Sequence, residues 1–74
     1  MKSFVSTCVI EGQPLVLWYV KDSGSSFKIT ALNIRELKPF TIMCDNGMWR
    51  IVDEVPLTIK MKENILSAAI ADNI

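Results

Sequence analysis

Side chains able to do chemistry are few in this sequence, and their spacing excludes more reactions than it suggests. The 74 residues include no histidine, which removes the commonest general base, proton shuttle and transition-metal ligand. The two thiols are Cys8 and Cys44. A nucleophilic cysteine needs a base or cation nearby to favour its thiolate, and neither position has one as an adjacent neighbour on its own strand face. Both read as buried, reduced packing thiols, with a single bridge between them as the alternative. Two cysteines without histidine do not compose a zinc site. Asp53 and Glu54, with Asp45, form the acidic grouping. Neighbours along a strand point to opposite faces, however, and a hard cation needs more oxygens than these supply. Gly12, Gly24 and Gly47 are too scattered for a phosphate-binding loop. The expectation is a protein with no catalytic residues, no metal and no cofactor. Enzyme chemistry would require an active site shared between subunits and built from Asp53, Glu54 or Cys44.

The cations and aromatic rings suggest a different kind of site. Arg35 and Lys38 precede the most strongly patterned part of the chain, and Lys60 and Lys62 follow it. Brought together beside Trp18, Tyr19 or Trp49, they would form a single-stranded nucleic-acid surface, with cations along the backbone and rings stacked on bases. Glu36, Asp53, Glu54 and Glu63 are interspersed among them, and eight basic residues balance eight acidic ones overall. Without a net field there is no long-range attraction for polyanions or anionic lipid, so nucleic acid ranks behind a protein partner.

The elements that would hold these residues are legible from period and punctuation. In residues 40–52 apolar residues alternate on either side of Asn46-Gly47, a pair that accepts the positive φ values of a type I′ turn. The spacing predicts a β-hairpin with Asp45 opposite Met48, Cys44 opposite Trp49, Ile42 opposite Ile51 and Phe40 opposite Asp53. Phe40, Ile42, Cys44, Trp49 and Ile51 then share one face. Met43, Met48, Arg50 and Val52 lie on the other. Residues 4–10 and 15–20 form a second expected hairpin; a Gly12-Gln13 loop would set Ile10 opposite Leu15 and Cys8 opposite Leu17. Residues 15–20 are apolar on both faces, which predicts a central strand covered on both sides. Trp18 and Tyr19 are adjacent in it, so one of them must face whatever covers the second side.

Residues 22–26 read as a loop and 27–32 as a third strand, with Phe27, Ile29 and Ala31 on one face. Asn33, with Glu36 three residues on, resembles the start of a helical turn closed by Pro39. After Pro56 a helix is expected from about residue 61, with Ile65, Leu66, Ala69 and Ile70 as its buried stripe. Residues 57–62 also alternate at period two, which leaves a short sixth strand as the alternative.

The fold class is therefore α+β: a strongly twisted, meander-like antiparallel sheet of five strands, or six, with one C-terminal helix on one face. A small SH3-like or OB-like barrel with an appended helix is the alternative. Residues 1–74 make one small domain, with hydrophobic residues at 50% and a mean hydropathy of +0.30. No apolar run is long enough to span a bilayer as a helix and no secretory signal is evident, so the expected setting is the cytoplasm. One short helix cannot cover both sheet faces, so either the sheet curls or a second copy covers it. The function expected is a small, non-enzymatic protein-interaction or self-association module acting through Trp18, Tyr19, Met43, Met48, Arg50 and Val52.

Overall fold

The computed structural model describes residues 2–73. Five strands follow one another as β1 (Ser3–Ile10), β2 (Gln13–Ser23), β3 (Ser26–Ala31), β4 (Phe40–Asp45) and β5 (Met48–Ile51). Each pairs antiparallel with its chain neighbour, giving the sheet order β1-β2-β3-β4-β5. The helices α1 (Leu57–Lys60) and α2 (Glu63–Asn73) complete the chain. The sheet is curled into a half-barrel, and α2 packs mainly on β5 and less on β1. Residues 57–62 are helical at α1 and then turn, so the sixth strand is excluded: Pro56 bends the chain away from β5, and the Ile59 and Lys60 N–H groups donate back to the Pro56 carbonyl.

The curl answers the problem of two apolar faces. Phe4 of β1 stacks on Tyr19 of β2 at 4.4 Å between ring centroids and meets Phe27 of β3 edge-on at 5.8 Å. Phe27 in turn meets Trp49 of β5 at 5.5 Å. Strands two apart in a flat sheet lie about 9.5 Å from each other, so these contacts demonstrate that the inner face is concave. Leu15, Leu17, Ile29, Phe40, Ile42 and Ile51 fill that face, and Leu66 and Ile70 of α2 close it.

The β4–β5 hairpin has the expected register from Ile42 opposite Ile51 to Asp45 opposite Met48, with Asn46 and Gly47 at φ 53° and 80°. Phe40 does not pair with Asp53. β5 ends at Ile51, one more cross-strand bond runs from the Val52 N–H to the Thr41 carbonyl at 3.0 Å, and the Asp53 carboxylate accepts the Thr41 N–H at 2.7 Å. In the first hairpin the turn is Glu11-Gly12, at φ 52° and 78°, not Gly12-Gln13. Ile10 therefore faces Gln13 and Cys8 faces Leu15, two positions from the expected register and with every side chain on its expected face. Pro14, opposite Val9, sits where a strand residue directs its N–H away from β1, beyond the reach of β3.

Residues 22–26 are mostly strand instead of loop, reversing in a tight turn at Gly24-Ser25, with a register irregularity between Lys21 and Ser23. The buried Ser26 hydroxyl is satisfied by the Ser23 hydroxyl at 2.8 Å. Residues 33–39 hold a single turn at Arg35-Glu36 and no helix, and Asn33 does not cap it. The Asn33 side chain is committed elsewhere, donating to the Pro14 carbonyl at 2.9 Å and accepting the Val16 N–H at 3.0 Å. It thereby prolongs the β3 side of the β2 ladder after β3 has ended. In α2 the buried residues are Leu66 and Ile70, while Ile65 is exposed, unlike the expected stripe. Glu63 sets the rotation: its carboxylate accepts the Ile51 N–H at 2.8 Å and turns that side of the helix toward β5.

Candidate functional site

Trp18 and Tyr19 part company as adjacent strand residues must. Tyr19 points into the concave core, 1% exposed and stacked on Phe4, so its assignment to the contact surface is corrected. The inner face was the one that curled shut. Burial and the neighbouring Cys8 raise its phenol above the ordinary range. Trp18 lies on the convex face, 42% exposed, opposite Val5 on β1 and Thr30 on β3. The double cover expected for residues 15–20 is therefore absent on this side among the described residues.

Met43, Met48, Arg50 and Val52 are all exposed. Met43 pairs with Arg50, Met48 precedes Arg50 on β5 and Val52 follows just after the strand. This group does not join Trp18. Thr30 and the cross-strand row Val20-Lys28-Thr41 lie on the convex face between them, so the surface read as one is two patches. Trp18 instead belongs with Val5 and Val9 on β1 and with Leu32, all exposed.

The β1 edge adjoins the Trp18 patch. Ile10 and Gln13 flank a two-residue turn, and at the far end the Lys21 N–H donates to the Lys2 carbonyl at 2.9 Å. Even-numbered β1 residues thus direct their backbone groups at β2, and odd-numbered ones direct theirs outward. Val5, Thr7 and Val9 have no backbone partner on that side among the described residues. Val5, Thr7 and Val9 are themselves exposed, which places this row at the surface. The opposite sheet edge is treated differently. Ile51 of β5 has its N–H taken by Glu63 and its carbonyl contacted by the Lys60 ammonium at 3.4 Å, which blunts that edge at Ile51 with charged side chains.

A second concave feature lies at the end of the half-barrel, where the β1–β2 turn, residues 33–39 and residues 54–59 meet around a cleft of about 540 Å³. Leu15 and Ile59 are buried at it, and Ile10, Ile34, Leu37 and Val55 are half-buried. Glu11, Glu36, Glu54 and Lys38 stand at its exposed rim. The spacing of Ile34 and Leu37, three apart, predicts a helical turn and not a cleft, and Val55 falls between the expected elements. The available signal was apolar residues beside the chain-breaking Pro39 and Pro56.

The groups considered for chemistry are dispersed. Cys8 and Cys44 are free thiols; burial pushes the Cys8 thiol up, and the Lys62 charge acts in the opposite sense. Asp53 is engaged by Thr41, and Lys60 pairs with Glu63 at 2.9 Å. No cluster of three or more metal-ligating side chains occurs among the described residues. No helix among them is long and apolar enough to cross a membrane. Comparison with known family models, curated proteins and solved structures finds no match to the chain.

Proposed function

We propose that this protein is a small, non-enzymatic association module that joins a second copy of itself through the edge of β1. The observation that carries this reading is the water-facing row of backbone groups at Val5, Thr7 and Val9, set beside the exposed Trp18 patch. An edge strand with free N–H and C=O groups is a template for another strand, and natural sheets blunt it with charge, proline or a covering element. The eight residues of β1 contain no proline and no charge. The β5 edge is blunted.

The sequence of β1 favours an antiparallel partner. Lys2 precedes the strand and Glu11 follows it, so antiparallel pairing brings unlike charges to each end, whereas parallel pairing aligns like charges. With Thr7 opposite Thr7 of the second copy, Val5 falls opposite Val9 at both outward positions. The inner face matches Phe4 with Ile10 and Ser6 with Cys8. Ten strands would then form one continuous sheet, with Trp18 of each copy flanking the two-fold axis. Reduced thiols at Cys8 and Cys44 suit a cytoplasmic setting for such a dimer.

Light scattering after size exclusion tests the reading, with a dimer expected at micromolar concentration. Thr7→Pro deletes an outward N–H without removing a hydrogen bond within the chain and should give a folded monomer. Thr7→Cys should oxidise to a covalent dimer, since directly opposed residues of a hydrogen-bonded pair lie about 5.5 Å apart, within disulfide reach. A wild-type monomer at all concentrations, or a dimer indifferent to Thr7→Pro, would refute it. A monomer that captures a strand from a different protein would move the same edge to a heterologous partner.

A further inference from the structure

We infer that the cleft at the end of the half-barrel binds a small amphiphilic cation: an aliphatic chain in the cleft and a positive head group at its rim. The volume of about 540 Å³ falls within the range of about 300–1,000 Å³ in which proteins hold small ligands, and the interior is aliphatic. Ile10, Leu15, Ile34, Leu37, Val55 and Ile59 offer methyl and methylene groups and no aromatic ring, which suits a flexible chain better than a planar ring system. This site is separate from the β1 edge and does not depend on self-association.

The rim decides the charge of the ligand. Glu11, Glu36 and Glu54 surround the opening with Lys38 as the opposing cation, an excess of negative charge in a protein with a formal net charge of zero. None of the four takes part in an ion pair among the described residues, where Lys60 with Glu63 is the pair formed. The three carboxylates therefore keep their field for whatever enters. Low-dielectric walls beneath them focus that field on the mouth. An anionic head group would meet three carboxylates and one ammonium. An uncharged chain would gain the apolar contacts alone.

The test is a titration followed by amide chemical shifts, using octyltrimethylammonium, octyl sulfate and octanol below the concentrations at which micelles form. The expected result is saturable binding tightest for the ammonium, with shifts centred on Ile10, Leu37, Val55 and Ile59. Glu36→Gln combined with Glu54→Gln removes two exposed charges and should weaken the ammonium by about fivefold while leaving octanol unchanged. Octyl sulfate binding as tightly as the ammonium, shifts centred on Trp18 instead of the cleft, or a double variant that binds the ammonium unchanged would each overturn the inference. So would the absence of saturable binding by all three probes.

Discussion

Glu63 does two jobs with one carboxylate, accepting the Ile51 N–H and pairing with Lys60. The Ile51 hydrogen bond, reinforced by Lys60, holds its carboxyl below the usual range. Its folded pKa is thus below the unfolded value of about 4.3. The stabilisation is fully present above that value and is lost as pH falls through the folded pKa. Glu63→Ala should cost about 1–2 kcal/mol at neutral pH and flatten the loss of stability on acidification, measured by urea unfolding from neutral pH into the acid range. Wild-type and variant curves that run parallel would contradict this role. None of it is visible in the order of residues, because Ile51 and Glu63 meet only after Pro56 has turned the chain. Trp18 and Tyr19 carry a similar lesson. Alternation requires them to face opposite ways, but which faces inward depends on the direction in which the whole sheet curls.

The elements were legible where their causes are local. Asn46-Gly47 announces its turn because both residues tolerate positive φ, and the β4–β5 register follows from it. Glu11 takes the same conformation at φ 52° without advertising it, since a glutamate there is held by the flanking strands and not by its own preference. Residues 33–39 turn at Arg35-Glu36 as expected, but the Asn33 cap is missing for a long-range reason. Asn33 spends its donor and acceptor on β2 at Pro14 and Val16, and neither is left to cap a turn. Asn33→Ala should therefore destabilise the fold by about 1–2 kcal/mol and release the Val16 amide to faster hydrogen exchange. An unchanged Val16 protection factor would show that the bond carries nothing. The end cleft was illegible for the converse reason: it is assembled from connections, which have no period to read.

The concave sheet gives a chain of this size its core, and two consequences belong to the molecule as a whole. Curling makes one face a shared interior, in which a row of rings runs from Tyr19 through Phe4 and Phe27 to Trp49. It also leaves the convex face and the β1 edge to the solvent, which is where association is proposed. The ladder order has a temporal meaning as well. Every strand pairs with its neighbour in sequence, so no strand waits for a distant segment, and three of the four connections are two-residue turns whose closure costs little entropy. Folding should be a single exponential on the order of milliseconds, with linear arms in a stopped-flow chevron. A curved refolding arm together with missing amplitude would point to an intermediate. A meander assembled so quickly gives its inner strands little time unpaired, but the outer edge of β1 stays unpaired after the last strand has docked. Only a strand from outside the chain can end that exposure, so the lifetime of the open edge is set by protein concentration and not by the rate of folding.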